Sequence, residues 1–138
     1  MTRREFREQE FKLLFHVEFY RECELDAQVE RYLLEEEIPE EVCGDLKNFV
    51  TAFSAKKVEI DEQLTEVSQK WRLNRMNKVD LAILRLAAYE IRFQDDIPVR
   101  VSINEAVELA KLYGGDESPQ FVNGVLGNFL KHFEISCE

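Results

Sequence analysis

Very little in this 138-residue sequence breaks a helix: it holds five glycines and three prolines. That scarcity excludes collagen-like, linker-like and low-complexity chains. Cysteines number three, histidines two and tryptophans one. Cys23, Cys43 and Cys137 stand far apart without a CxxC, and an odd number cannot all pair internally. The pattern predicts ordinary thiols in a reducing cytoplasm. His16 and His132 lack a His or Cys partner four residues away, so no metal site is expected. Acidic residues interrupt every apolar stretch, which predicts neither a signal peptide nor a membrane span. No nucleophile elbow or Cys–His constellation occurs, and "YGGDES" (113–118) lacks the lysine of a phosphate loop. The chain is therefore expected to be no enzyme and to need no cofactor.

What is present is helical spacing over most of the length, in a chain long enough for one domain with a real core. Phe11, Leu14, Phe15 and Phe19 form a 3.6-period stripe, with Phe6 extending it. Val29, Tyr32 and Leu33 mark a shorter helix, and Pro39 closes the connection after it. From Glu40 the apolar residues Val42, Leu46, Phe49, Val50, Phe53, Ile60, Leu64 and Val67 predict one long helix. Positions 42–67 would span about 38 Å. Trp71 to Asn77 breaks the pattern, which resumes near Lys78 with Leu81, Leu84, Ala88 and Ile91 on one face. Ile83, Leu86 and Ala87 widen that face, as expected of a centrally packed helix. Pro98 ends it. Ser102 and Glu105 fit a capping box for the next helix, and Gly114 is a candidate left-handed cap at its end. Ser118-Pro119 opens a last helix carrying Phe121, Val122, Val125, Leu126, Phe129 and Leu130. The fold class expected is all-α, with six helices in two packed three-helix subdomains, about 1–70 and about 71–138.

Acid outweighs base, 28 Asp+Glu against 18 Lys+Arg, for a net charge of −10. The acidity is segregated: residues 22–70 hold fourteen acidic and five basic side chains, whereas 71–92 hold two and five. Two basic islands result, Arg3/Arg4/Arg7 and Arg72/Arg75/Lys78/Arg85. Arg3 and Arg7 are helical neighbours, and guanidiniums so grouped suit phosphate oxygens. The other reading is a solubilising terminus whose arginines pair with Glu5, Glu8 and Glu10. The second island includes Asn74 and Asn77 beside Trp71, a mixture able to engage unpaired bases and backbone. Glu90 follows Tyr89 in the apolar helix, and in "SINEAVELAK" (102–111) Asn104, Glu108 and Lys111 should face outward, where a carboxylate is more often solvated than catalytic.

"RREFREQEFKLLF" (3–15), "WRLNRMNKVDLAILRLAAYEI" (71–91), "VSINEAVELAKLYG" (101–114) and "SPQFVNGVLGNFL" (118–130) closely resemble the NusB family of transcription antitermination factors. The likeness covers essentially the whole chain. It is most specific in ILRLAAYE, INEAVELAK and FVNGVL. The resemblance implies a non-catalytic module that binds the single-stranded boxA element of nascent ribosomal RNA leaders together with NusE, a ribosomal small-subunit protein. The pair joins RNA polymerase with NusA and NusG. It further implies RNA contacts at Arg3, Arg4 and Arg7, with Arg75 and Lys78 as a second part of the RNA surface. Glu90, Glu117 and Phe121 are implied as contacts to NusE. Family members can also form homodimers that cover the RNA surface. The sequence departs from the pattern at Phe6 and Glu10, where Ala is common, at Gln9, where a basic residue is frequent, and at Leu81, where Arg is frequent. The arm is thus less basic than usual. A helical adaptor or dimeric regulator that keeps NusE and binds RNA weakly is the competing reading.

Overall fold

Thr2 starts the first helix by a reciprocal exchange: its Oγ1 accepts from Glu5 N at 3.1 Å, while Glu5 Oε1 accepts from Thr2 N at 2.9 Å. Those bonds from Thr2, the backbone one first, hold the Glu5 carboxyl below its ordinary value of 4.5. Its contribution is therefore present above that value and lost as pH falls through the lowered one. The computed structural model describes residues 1–68 and 73–137. Trp71 and Arg72, singled out in the sequence, lie outside the described residues. Six helices follow one another: α1 (Arg3–Val17), α2 (Leu25–Glu35), α3 (Glu40–Val67), α4 (Lys78–Phe93), α5 (Val99–Tyr113) and α6 (Ser118–His132). Short 3-10 turns occupy Glu22–Glu24 and Leu73–Arg75, and the described residues include no strand. The all-α expectation holds.

Two compact units divide the chain, Met1–Ala55 and Lys56–Glu138. The division falls inside α3 and not near residue 70, where the break in periodicity had suggested it. Residues 54–59 of α3 are all exposed, though Lys56 Nζ lies over the Phe93 ring at 5.1 Å. Beyond that stretch its side chains are tied to later helices: Arg92 Nε donates to Gln63 Oε1 at 3.0 Å, and His132 faces Glu66 at 3.6 Å.

In the first unit α1 and α2 pack together. Phe11, Leu13, Leu14, Val29, Tyr32 and Leu33 are buried there, and Tyr32 Oη donates to Gln9 Oε1 at 2.5 Å. Phe19, expected on the apolar stripe, is 61% exposed because α1 ends at Val17. In the second unit α4, α5 and α6 all pack on one another. Every residue of α4 from Asp80 to Glu90 is buried, so no side of that stretch faces water. Asn77 caps it, with Oδ1 accepting from Val79 N at 2.8 Å.

Two expected end signals are built differently. α5 begins at Val99 after Pro98, and Ser102 is buried one turn inside it, so the Ser102–Glu105 capping box does not form. A proline just before the helix has no amide of its own to satisfy, so the start moves up to it. Gly114 is extended (φ −92°, ψ −175°), not left-handed. It is needed for closeness: a Cβ there would lie 2.5 Å from Ser118 Cβ and 2.8 Å from the Ala110 carbonyl oxygen. The α5–α6 corner is thereby tight, and Gly115 N donates to Ser118 Oγ at 3.0 Å to fasten it.

Leu84 is fully buried at the centre of α4. Leu84→Ala is expected to destabilise the protein by about 2–5 kcal/mol, the loss of transfer energy plus a cavity. Chemical denaturation measures it, and a change near zero would mean that α4 is not the core helix.

Candidate nucleic-acid interface

The candidate interface residues divide between the two units, and each set is built by local folding. In the first unit the Thr2–Glu5 box orders the opening turn of α1, which leaves Arg3 and Arg4 exposed. Arg7, one turn later, is only 7% exposed. It was expected to stand beside Arg3 as a phosphate contact; instead its side chain belongs to the interior of α1. The periodicity that sets Phe11 and Leu14 inward turns position 7 inward too, since 7, 11 and 14 share one helical face. Phe6 is half-buried.

In the second unit the turn Leu73–Arg75 leads directly into the cap of α4. Asn74 and Arg75 are exposed, Met76 is buried and Lys78 is half-buried. Asn77 is exposed at its rim, although its Oδ1 is engaged as the helix cap. Arg85 was part of the same basic island in the sequence but is withdrawn from it. At 7% exposure, its Nε and Nη2 both donate to Asp61, to Oδ1 and Oδ2, at 2.9 Å each. This is the two-pronged pairing that planar guanidinium favours. Here it joins α4 to α3.

Glu90 likewise lies inside. It is 4% exposed, and Ser102 Oγ donates to its Oε1 at 2.7 Å, which ties α4 to α5. An expected contact to a protein partner, it is instead committed to the core. Glu117 and Phe121 sit where a partner can reach them: Glu117 is exposed at the start of α6, and Phe121 is half-buried one turn on.

The sequence assigned Arg75 and Asn77 to one surface and Glu117 and Phe121 to another, yet all four line one cavity of about 380 Å3. Met76, Asp80, Gly115, Asp116 and Ser118 complete it. The tight α5–α6 corner brings the start of α6 against the start of α4. Phe121 also borders a larger groove of about 650 Å3 running along α6 past Gly124, Val125 and Asn128. Asp80 is the member sequence reasoning missed. An aspartate in the first turn of a helix is ordinary, and only the placement of α6 shows that it is buried.

Because Arg7 is interior and Arg3 exposed, the two arginines are expected to respond oppositely. Arg7→Ala should lower the melting temperature by several degrees, while Arg3→Ala should leave it within about one degree, the effect of ~0.5 kcal/mol or less at a surface site. Thermal melts of the two variants measure this; equal, small shifts would mean that Arg7 is a surface residue.

Comparison with known proteins accords with this architecture. The model of the NusB family matches residues 4–131. The transcription antitermination protein NusB of Agathobacter rectalis is 52% identical over 132 residues, covering 94% of this chain and 99% of its own. That of Clostridium novyi is 42% identical over 133 residues, covering 95% and 99%. Among solved structures, T. maritima NusB superposes with a TM-score of 0.83 at 38% identity, covering 95% of this chain and 92% of its own. With a family match across nearly its whole length, these identities and this shared fold, the chain belongs to the NusB family of transcription antitermination proteins.

Proposed function

We propose that this chain binds boxA-type single-stranded RNA in nascent ribosomal RNA transcripts together with NusE, and so helps RNA polymerase, with NusA and NusG, to elongate without terminating. It acts in the cytoplasm as a binding module, without chemistry of its own. Family membership supports the reading. The observation that carries it in this chain is the single cavity that gathers Arg75, Asn77, Glu117 and Phe121. Its cation and amide are groups that engage phosphate and unstacked bases, and its carboxylate and aromatic ring are left for NusE. Arg3 and Arg4, both exposed on the opening turn of α1, supply further phosphate contacts. Lys78 and Asn74 flank the cavity residues in sequence and serve the same surface.

NusE takes Phe121 and the groove along α6, where an aromatic side chain borders polar and small residues. Glu117 adds an exposed carboxylate for a basic partner. A second reading keeps NusE but weakens RNA. It draws on the withdrawal of Arg7, which leaves the arm with two outward guanidiniums, and on the acidic rim residues Asp116 and Glu117. The acidic total of −10 does not by itself oppose RNA, because charges beyond the Debye length of roughly 8 Å are screened at physiological salt.

Two measurements test the proposal. A salt titration of boxA RNA binding, with NusE bound throughout, should give a log–log slope that shrinks by about 1.4 when Arg3 and Arg4 are both changed to Ala, about 0.7 for each lost phosphate contact. An unchanged slope and affinity would remove the arm from the RNA site and favour the adaptor reading. Phe121→Ala should weaken NusE binding by about thirtyfold, as loss of a ~2 kcal/mol interface aromatic would. If instead the variant melts much lower while its folded fraction keeps full NusE affinity, Phe121 is a core residue.

A further inference from the structure

A glycine inside a helix is less stable there than an alanine, so its presence calls for a reason. The interiors of α3 and α6 hold three: Gly44, Gly124 and Gly127. At none of them would a Cβ meet a side chain or a neighbouring element within 4 Å, so crowding inside the chain does not require glycine there. Gly114 is the contrast, since a Cβ at that position would strike Ser118. Gly124 differs from Gly44 and Gly127 in one respect: it lines the groove of about 650 Å3 along α6, and they do not. A bare position facing an open groove is accounted for if the backbone of another chain comes close to it.

The rest of the groove defines what comes close. Val67, Ser68 and Val125 are its buried members, and the Ser68 hydroxyl already donates to the Leu64 carbonyl at 2.7 Å. Glu66 and His132 line it as well and face each other at 3.6 Å. Gln120 and Asn128 are exposed, one turn before and one turn after Gly124 on the same side of α6. Each carboxamide carries N–H donors and a C=O acceptor, the counterparts of the two groups that a peptide unit offers. Eight residues of helix separate the two amides by about 12 Å, the length of about four residues of extended chain. Neutral amides on either side of a bare glycine suit a neutral backbone more than a charged group, and the cation Lys131 stands apart in the last turn of α6. Phe121 borders both this groove and the cavity that holds Glu117, so the groove continues the surface given to NusE.

We infer that NusE lays an extended stretch of its own backbone along α6 over Gly124, with the side chains of Gln120 and Asn128 hydrogen-bonded to its peptide groups on either side. A side chain at position 124 would hold the two backbones apart. This rests on the NusE reading above and adds to it what the groove recognises: main chain, admitted by a glycine and held by two amides.

Calorimetric titration of the full chain with NusE, paired with thermal melts, tests this. Gly124→Ala should raise the melting temperature by a few degrees, because alanine suits a helix better, and yet bind NusE about tenfold more weakly. The two effects have opposite sign, which separates lost binding from lost folding. Gly127→Ala is the same change less than a turn away and outside the groove lining. It should raise the melting temperature alike and keep wild-type affinity. Gln120→Ala combined with Asn128→Ala should lose about tenfold through two missing hydrogen bonds. Hydrogen exchange should show a contiguous run of NusE amides protected by the wild-type chain and less protected by that double variant. Wild-type NusE affinity in Gly124→Ala, an equal loss in Gly127→Ala, or the absence of such a run would overturn the inference. If Phe121→Ala still weakens NusE in that event, the NusE reading stands; if the wild type does not bind NusE, both fail. Should Gly124→Ala keep NusE and lose boxA RNA, the groove belongs to RNA and the inference is overturned.

Discussion

The unbroken burial of α4 from Asp80 to Glu90 is the constraint from which much of the second unit follows. A helix buried on all sides has no wet face on which to put charge, so each ionisable residue in it must find a partner on a neighbouring element. Asp61 of α3 supplies one for Arg85, and Ser102 of α5 supplies one for Glu90. Both pairings join α4 to its neighbours with directional bonds that apolar packing alone does not provide. The start of α6 is then set by the Gly114–Ser118 contact, too close for any side chain at position 114. The site is the place where this scheme is left incomplete. Asp80 is buried like the others and borders a cavity, and its Oδ1 accepts no hydrogen bond.

This arrangement changes how the charge of the chain is read. The five basic residues of 71–92 stand close along the sequence, and four of them, Arg72, Arg75, Lys78 and Arg85, looked like one island. Folding sorts them: Arg85 and Arg92 bond to α3 side chains, while Arg75 stays exposed at the cavity rim. The N-terminal cluster is sorted in the same way, with Arg3 and Arg4 outward and Arg7 inward. What is left for RNA is a small number of cations placed among polar and aromatic groups in an acidic molecule. Such a surface would bind by local fit more than by bulk attraction, in keeping with the proposed action together with NusE.

The helices were legible because their apolar spacing is regular and few residues interrupt it. The long α3, the start of α4 at Lys78 and the Ser-Pro start of α6 all stand where the sequence placed them. The errors concentrate where direction had to be inferred. Outward and inward cannot be told apart by spacing on a helix apolar all round, so spacing did not show that Arg85 and Glu90 lie inside. Ser102 looked like a cap because serine followed by glutamate three residues later has that pattern, but Pro98 started the helix first and the serine went to Glu90 instead. The cavity itself was invisible in the sequence. Its walls come from segments some forty residues apart, and no local pattern encodes how closely Gly114 lets them approach.

The central claim is that RNA meets this chain at the opening turn of α1 and at the cavity between the starts of α4 and α6. A map of NMR chemical-shift changes answers it most directly, taken on the isotopically labelled chain already saturated with NusE and then titrated with boxA RNA. The account predicts that changes caused by the RNA concentrate at Arg3 and Arg4, at 74–80 and at 115–121, including the side-chain amides of Asn74 and Asn77. RNA-dependent changes confined to other surfaces, such as the exposed Leu112 and Tyr113 at the end of α5, with those segments silent, would contradict it.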